Sequence, residues 1–336
     1  MFQVMEEILK IFPAYLRSFC IACFKQKERP EELRIRIEQP LLVFNGRQEL
    51  FWNEQGQYLQ KAQEGAYRIK KSDIDAILVL MSQYSFYAFE EEIKRGFLTI
   101  QGGHRVGIAG KATCENGIVK TIRQISFLNI RIAGEKKGCA SLLIPYIRNG
   151  QSIYNTLLIS PPGIGKTTML RDCIRILSNG EAIGEKQYLQ QTDQFCGEKE
   201  TLSGYSGKKI GIVDERSELA ACFLGVPQND LGLRTDVMDC CPKSEGMLML
   251  LRSMSPEIIG VDELGGQADY EAVEQALHCG CHILGTIHGE NMAELKEKPH
   301  LKKWVEQGFF ERYIFLKRNK NGKRSFEVYN EKMERL

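Results

Sequence analysis

The chain has 336 residues, a length typical of about two domains, and its hydrophobic content of 43% is enough for a sizeable core. Its 45 basic and 43 acidic residues leave a formal net charge of +2, which gives no electrostatic reason to expect a nucleic-acid partner. Charged residues interrupt every apolar run near the start, and no run reaches the ~18 residues of a membrane span. The composition therefore predicts a reduced, cytosolic protein rather than a secreted or membrane-spanning one.

The chain contains 11 cysteines, and three close groupings of them raise the question of a metal site. The groupings are Cys20 with Cys23, Cys240 with Cys241, and Cys279 with Cys281, the last beside His278 and His282. None has a second pair of ligands nearby at the spacing of a zinc site. We therefore expect these thiols to be buried and to pack as small apolar residues.

A helix or two and then two strands are predicted at the start of the chain. Apolar residues recur at helical spacing from 1 to 23, and Pro13 is expected to start, end or kink a helix there. Apolar residues alternate with polar ones from Leu33 to Ile37, which indicates a half-buried strand. The apolar run at 41–43 indicates a second strand.

A helix, a hairpin and further strands are predicted next. Ser72 is expected to cap the helix, with Asp75 following it in the manner of a capping box. The segment 97–110 is predicted to form a β-hairpin, and the β-branched residues of 119–131 indicate additional strands. The sequence thus predicts a small α+β domain over residues 1–138.

The pattern changes beyond a predicted linker at 139–152. Residues 153–336 alternate apolar strands with helical segments, which predicts an α/β domain with a parallel sheet. Strands are predicted at 157–159, 210–213, 258–261 and 281–287, helices at 169–178, 244–254 and 270–277, and a closing basic hairpin at 315–323. Residues 180–207 are polar and lack a period, so we interpret them as a loop.

A phosphate-binding loop is the most specific motif of the chain, and it runs from Ser160 to Thr168. A buried strand precedes it and a helix follows it, so backbone N–H groups and the helix N-terminus are placed to hold phosphate oxygens. Lys166 is predicted to reach the β- and γ-phosphates, and the Thr167 hydroxyl to hold Mg²⁺. Ser160 stands where such a loop usually begins with glycine. The predicted nucleotide-binding residues are Pro162, Gly163, Ile164, Gly165, Lys166, Thr167 and Thr168.

Carboxylates and a histidine follow three other predicted strands, and ligands of an open α/β sheet lie at the carboxyl ends of its strands. Asp262 is expected to position Mg²⁺, and Glu263 to polarise the attacking water. Glu215 is a candidate for orienting water or sensing the γ-phosphate, and His288 for reporting the γ-phosphate to the rest of the domain. The alternatives to these roles stay open: the carboxylates could be solvent-exposed polar residues or helix caps, and His288 could be a hydrogen-bonded surface histidine. Phosphate contact and a salt bridge are equally open for three arginines, Arg216, Arg234 and Arg252.

Four sequence boxes occur in order, at 160–168, 213–218, 250–263 and 285–289. They resemble the Walker A, Asp, Walker B and His boxes of secretion ATPases of the type II/type IV superfamily. Further motifs are similar to those of a sporulation family of spore-forming Firmicutes, and they lie at 102–107, 128–132, 227–230, 234–236, 241–243 and 245–247. The likeness runs from about Glu32 to Tyr313 and covers most of the chain.

The resemblance implies an α/β fold, with a RecA-like P-loop NTPase motor domain joined to a smaller N-terminal α+β domain. It implies ATP and Mg²⁺ as cofactors and a hexameric ring, with ATP between the domains and arginines of the N-terminal side reaching the phosphates. Arg105 and Arg131 match candidate positions for those arginines. It also implies a motor on the cytoplasmic face of the mother-cell membrane, held by membrane-bound sporulation channel proteins. Such a motor would power an apparatus that links mother cell and forespore.

Two other functions stay open. One is an AAA-like ATPase acting on single-stranded nucleic acid, as in plastid and cyanobacterial relatives with a similar motor. Their nucleic-acid-binding module carries an arginine four residues before a histidine, and none of the five histidines here has arginine at that position. The other is a nucleotide-dependent regulator that does not hydrolyse ATP. The presence of Lys166, Asp262 and Glu263 argues against it.

Overall fold

Two compact units make up the chain. The computed structural model describes residues 2–25, 29–55, 57–61, 65–83, 89–180, 205–297, 299–318 and 324–336. Unit 1 comprises Met1–Gly134 and Ala221–Gln228, and unit 2 comprises Glu135–Ala220 and Asn229–Leu336. The domain limits derived above from the sequence, with a linker at 139–152, stay a prediction.

Unit 1 is built on an antiparallel sheet. Its strands are β1 (Glu32–Arg36), β2 (Leu42–Phe44), β3 (Glu49–Trp52), β4 (Tyr58–Leu59), β5 (Phe97–Ile100), β6 (His104–Glu115) and β7 (Ile118–Arg131). Their order across the sheet is β4-β3-β2-β1-β7-β6-β5. The first two predicted strands and the predicted hairpin are confirmed. The β-branched region forms a single long strand, β7, which pairs with both β1 and β6.

The helices of unit 1 pack their apolar faces against this sheet. They are α1 (Phe2–Lys10), α2 (Arg17–Phe24), α3 (Lys71–Met81) and α4 (Glu90–Lys94). The predicted interruption at Pro13 is confirmed, because a 3₁₀ turn begins directly after it and separates α1 from α2. Proline has no backbone N–H to donate within a helix, so a helix that meets it ends or restarts there.

The predicted cap of α3 is wrong. Ser72 lies inside the first turn of the helix, and Lys70 occupies the cap position. The carboxylate that closes the turn belongs to Asp73, which accepts the backbone N–H of Lys70 at 2.8 Å and two tyrosine hydroxyl groups at the same distance. Asp75 instead forms an exposed ion pair with Lys71. A buried aspartate with three donors around it therefore fixes the helix start, and sequence spacing alone did not identify it.

Unit 2 is built on a sheet that is parallel except at one edge. Its strands are β10 (Thr156–Ser160), β11 (Ile210–Asp214), β12 (Thr235–Asp239), β13 (Ile258–Val261), β14 (His282–His288), β15 (Arg312–Arg318) and β16 (Arg324–Asn330), and a small hairpin pairs β8 (Arg148–Asn149) with β9 (Ser152–Ile153). The order of the main sheet is β12-β11-β13-β14-β10-β15-β16, with β16 antiparallel. The four predicted inner strands and the closing hairpin are confirmed, but β12 was not predicted. Its sequence reads Thr-Asp-Val-Met-Asp and it is an edge strand, so it has neither an apolar run nor a clear alternation.

The helices of unit 2 are α5 (Ile144–Ile147), α6 (Lys166–Asn179), α7 (Lys243–Ser253), α8 (Gln267–His278), α9 (Met292–Glu297) and α10 (Pro299–Glu306). Helix α6 crosses the middle of the sheet closely. A Cβ on Gly260 of β13 would lie 2.7 Å from Ile174 Cδ1, so the glycine permits this packing. The three predicted helices are confirmed. Most of the predicted loop at 180–207 lies outside the described residues.

The parallel arrangement brings several strand ends to one edge of the sheet. β10, β11, β13 and β14 run in the same direction, and Ser160 at the end of β10 lies opposite His288 at the end of β14. The residues that follow these four strands therefore begin from neighbouring positions.

The cysteine groupings differ in their surroundings. Cys20 and Cys23 are buried in the core of unit 1, and burial raises the pKa of both thiols well above its ordinary value, as expected for apolar packing. Cys281 is also buried. The expectation is wrong for Cys279, which is exposed because it lies in the turn directly after α8. Cys240 and Cys241 are only partly buried, so the expectation of buried thiols does not hold for this grouping either.

Within the described ranges, the helices are all too short or too polar to cross a membrane.

Candidate active site

The phosphate loop has the backbone conformation that its glycines allow. Gly163 and Gly165 have φ angles of +77° and +104°, in the left-handed region that glycine adopts without strain. A Cβ added at Gly163 would meet no atom within 4 Å, so that side of the loop is open. The loop leads directly into α6, whose first residue is Lys166. Open space above a glycine-rich turn at a helix N-terminus fits a bound phosphate group.

Ser160 fits the loop although glycine is usual at this position. The residue is buried at the end of β10, and its backbone is not in the left-handed region. Its hydroxyl donates to the carbonyl oxygen of Pro161 at 2.8 Å, and its own carbonyl accepts from Lys166 Nζ at 3.0 Å. No backbone strain therefore follows from a side chain at this position.

The Lys166 ammonium is held by two acceptors. The residue is only 6% exposed, and Nζ donates to Ser160 O at 3.0 Å and to His288 Nδ1 at 2.9 Å. Burial lowers its pKa, and the carboxylates of Asp262 and Glu263 oppose that shift only in part. Because an ammonium only donates, His288 Nδ1 accepts and the ring proton lies on Nε2.

Asp262 is fixed by two threonine hydroxyls. Thr167 Oγ1 donates to Asp262 Oδ2 at 2.7 Å, and Thr286 Oγ1 donates to Asp262 Oδ1. A hydroxyl and a carboxylate are hard oxygen donors of the kind that Mg²⁺ binds, usually together with waters and substrate phosphates. Thr167 and Asp262 thus form a donor set that fits Mg²⁺.

Glu263 lies beside a histidine and an arginine. Its Oε1 is 2.9 Å from His288 Nε2, and its Oε2 is 2.9 Å from Arg216 Nη1. Burial raises the pKa of the Glu263 carboxyl, but the His288 hydrogen bond and the Arg216 charge outweigh it, so the pKa lies below its ordinary value. The backbone of Glu263 is left-handed, with φ of +57°, and its N–H donates to Thr286 Oγ1 at 2.9 Å. These contacts fix the position of the carboxylate and favour its ionised form, which is the form that can accept a proton.

A loop that carries Glu215 and Arg216 follows β11. Asp214, at the end of the strand, accepts the N–H groups of Glu218 and Ala220, each at 2.8 Å. Arg171 of α6 donates from Nε to the carbonyl of Leu219 at 2.7 Å. Asp214 therefore shapes the loop through both carboxylate oxygens.

Glu215 is partly exposed and forms an ion pair with Lys243, the first residue of α7. Glu215 and Lys243 line an open pocket at this edge of the sheet. The other residues lining it are Asp214, Arg216, Glu218, Asp262 and Glu263. Five carboxylates against two cations make this pocket acidic.

The stability of the fold is expected to depend on pH through Asp214. Burial raises the pKa of Asp214 from 3.8 to about 6, against the opposing backbone N–H bonds. The folded chain therefore binds more protons here than the unfolded chain between the two values, so this contribution to stability falls as pH rises through that window. In denaturant unfolding of the wild type and of Asp214→Asn, the wild-type unfolding free energy minus that of the variant is expected to fall by about 2 kcal/mol between about pH 4 and about pH 7. A difference that stays constant or grows with pH would contradict the assignment.

The predicted site residues of unit 2 lie on the phosphate loop and at the neighbouring strand ends. Lys166, Thr167, Asp262, Glu263 and His288 are joined by the hydrogen bonds described above. The remaining loop residues lie on the same turn and the start of α6, and they are Pro162, Gly163, Ile164, Gly165 and Thr168. Glu215 lies on the neighbouring loop, where it bonds Lys243.

Arg105 and Arg131 belong to unit 1. They are cross-strand partners on β6 and β7, and the Arg105 guanidinium carbon lies 3.6 Å from the centre of the Phe97 ring. The structure thus brings these two arginines together.

Two further residues contact the carboxylates at this edge. Thr286 lies two residues before His288 on β14, so alternation along the strand puts both on one face, and it bonds both Asp262 and the backbone of Glu263. Of the two roles left open for Arg216, the structure shows the salt bridge, which it forms with Glu263. The pairing of Lys243 with Glu215 was not anticipated, because no sequence pattern indicated it.

Comparison with known proteins covers nearly the whole chain. A family model described as sporulation stage III, protein AA, matches residues 3–336. The chain is 40% identical over 327 residues to stage III sporulation protein AA of Bacillus subtilis (strain 168), which covers 97% of this chain and 95% of that protein.

Two solved structures are similar in fold. The ATPase DotB of Legionella pneumophila gives a TM-score of 0.52 at 15% identity and covers 90% of this chain and 76% of its own. The pilus retraction motor PilT, solved with bound ADP, gives 0.52 at 13% identity and covers 89% of this chain and 78% of its own. The likeness confirms the predicted fold class, a RecA-like motor domain with an N-terminal domain.

Proposed function

Because the chain belongs to the sporulation stage III protein AA family, we propose that it is an ATP-hydrolysing motor resembling secretion ATPases. In this proposal it powers assembly or transport through the apparatus that links mother cell and forespore during sporulation. One observation carries the proposal that the chain hydrolyses ATP. Lys166, His288 and Glu263 form a continuous line of hydrogen bonds from the phosphate loop to a carboxylate with a lowered pKa.

The residues of the loop fit ATP. Backbone N–H groups from Gly163 onward and the first turn of α6 would hold the phosphates, and the Lys166 ammonium would exchange its contacts for phosphate oxygens. Thr167 and Asp262 would hold Mg²⁺, which neutralises phosphate charge when bound.

Glu263 is the proposed group that takes the proton of the attacking water. The His288 hydrogen bond and the Arg216 charge favour the ionised form of its carboxyl, which is the form that can accept a proton. His288 links Glu263 to Lys166, and through this contact it would respond to a γ-phosphate at the lysine. Glu215, on the adjoining loop, is proposed to orient water. We assign to Arg105 and Arg131 the role implied by the resemblance, phosphate contacts from the N-terminal domain.

The assembly proposed is a ring, expected to be a hexamer, on the cytoplasmic face of the mother-cell membrane. Membrane-bound sporulation channel proteins would hold it there, and no nucleic-acid partner is proposed. The ring rests on the likeness to secretion ATPases, and the near-neutral charge of +2 agrees with a protein rather than a nucleic-acid partner.

The ring is tested by the mass of the full chain in solution. With Mg²⁺ and a non-hydrolysable ATP analogue, light scattering after gel filtration is expected to give about six times the monomer mass, as the proposed hexamer, a closed ring of identical subunits, requires. ADP in place of the analogue shows whether the assembly depends on the γ-phosphate. A monomer at every nucleotide concentration would contradict the ring but leave the phosphate site untouched.

A further inference from the structure

The hairpin formed by β15 and β16 extends beside the phosphate loop. β15 pairs in parallel with β10 from Thr156 opposite Arg312 to Ile159 opposite Phe315. Leu316 is then level with Ser160, the last residue of β10, and residues 317 and 318 extend past the carboxyl end of that strand. The phosphate loop starts at that same end.

Two arginines at the end of this hairpin lie against the loop backbone. Arg318 donates from Nη2 to the carbonyl oxygen of Gly163 at 3.5 Å. Arg324 Nη2 lies 2.6 Å from the position that a Cβ on Gly165 would occupy, so its guanidinium lies directly over that glycine. Gly165 thus has a second requirement besides its left-handed backbone, because a side chain there would collide with Arg324.

The pairing of the two arginines favours an anion between or beside them. Arg318 and Arg324 are direct cross-strand partners in the antiparallel pair, and both are exposed. Like charges directly opposite each other in a sheet are destabilising. A phosphate group relieves this repulsion, and arginine is well suited to bind one because its planar guanidinium donates several hydrogen bonds.

The sheet order decides which part of a nucleotide they face. β15 lies on one side of β10, and β14, with His288 at its end, lies on the other, followed by β13. The arginines therefore flank the loop from the side away from His288 and Glu263. Under the proposed function the γ-phosphate lies towards those two residues. The phosphates nearer the ribose then lie towards the hairpin.

We infer that Arg318 and Arg324 form a second set of phosphate contacts, made to the phosphates that nucleoside di- and triphosphates share. The inference rests on the proposed function, since it assumes that a nucleotide occupies the loop. In this inference the hairpin helps to hold the nucleotide and does not sense its hydrolysis. ADP and ATP would then be held to a similar extent by these residues.

The test is binding of ADP and of inorganic pyrophosphate to the full chain by isothermal titration calorimetry, with the variants Arg318→Ala and Arg324→Ala. Each variant is expected to bind ADP and pyrophosphate about tenfold more weakly than the wild type. The KM for ATP is expected to rise by a larger factor than kcat falls. Arg318→Lys and Arg324→Lys keep the charge and are expected to recover part of the affinity. Lys317→Ala is the matched control, because Lys317 is adjacent on β15 but pairs with Glu327.

Three results would overturn the inference. They are unchanged ADP affinity in both alanine variants, weaker ADP binding with unchanged pyrophosphate binding, and an equal loss in Lys317→Ala. The second result would move the contact to the base or ribose. If Lys166→Ala no longer binds ADP while both arginine variants bind it normally, this inference fails and the proposed function stands. If Lys166→Ala still binds ADP with wild-type affinity, the proposed function fails, and this inference fails with it.

Discussion

Lys166→Ala is expected to abolish nucleotide binding, with the affinity for ATP falling about a hundredfold or more. The Lys166 ammonium is buried and already directed by Ser160 and His288, so little ordering is needed when it binds a phosphate. Charge-assisted hydrogen bonds of this kind contribute about 1.5 to 3 kcal/mol each, and an ammonium can make several with phosphate oxygens. The measurement is calorimetric titration of the variant with Mg-ATP and with ADP.

Lys302→Ala is the control for this experiment. Lys302 lies on the surface of α10, where it forms an exposed ion pair with Glu306, so its loss is expected to leave nucleotide affinity unchanged. Circular dichroism of Lys166→Ala then separates loss of binding from loss of fold. Wild-type ATP affinity in a folded Lys166→Ala variant would refute the phosphate-loop assignment.

Glu263→Gln is expected to bind ATP but to turn it over about a hundredfold or more slowly, the range in which loss of a general base falls. Glutamine keeps an oxygen that accepts the His288 Nε2 proton, so the local geometry is retained, but an amide does not take a proton from water. The measurement is steady-state phosphate release at saturating Mg-ATP, together with ATP affinity by calorimetry.

Glu271→Gln provides the matched comparison for Glu263→Gln. Glu271 is exposed on α8, where it bonds Gln267 of the same helix, and the substitution removes the same charge from a side chain that makes no contact with the site described above. Its phosphate release is expected to equal that of the wild type. Normal turnover by Glu263→Gln would remove Glu263 from the proposed role and leave Glu215 as the carboxylate to test next.

The fold of unit 2 was largely predictable because its inner strands are continuous apolar runs, and most of them are followed by a helix. Such runs have few alternatives, since they are buried on both sides of a parallel sheet. β12 escaped prediction for the opposite reason. It is a half-exposed edge strand with two aspartates, so its position depends on pairing with β11 rather than on its own pattern.

Local rules were also less reliable where buried polar groups decide the structure. The capping pattern at Ser72 matched a common sequence motif, but Asp73 has the burial and the donors that determine where α3 begins. Sequence spacing does not reveal which of two nearby carboxylates will be buried. That choice depends on the tyrosine hydroxyls that tertiary packing brings to Asp73.

The adjacency of the candidate site residues follows from a simple rule about parallel sheets, that strand ends meet at one edge. This rule, applied to the sequence, selected Lys166, Asp262 and His288 from segments far apart in the chain. It does not give the side-chain pairing. The contact of Arg216 with Glu263 depends on the left-handed backbone of Glu263 and on the turn that Asp214 holds, neither of which is encoded in a local pattern.

Phosphate release from Mg-ATP by the full-length wild type, measured beside Lys166→Ala and Glu263→Gln, tests the proposed activity most directly. Continuous turnover is expected from the wild type, none from Lys166→Ala because ATP is not bound, and turnover about a hundredfold or more slower from Glu263→Gln although ATP is bound. Phosphate release that is absent from the wild type in the presence of bound ATP, or equal in all three proteins, would contradict it.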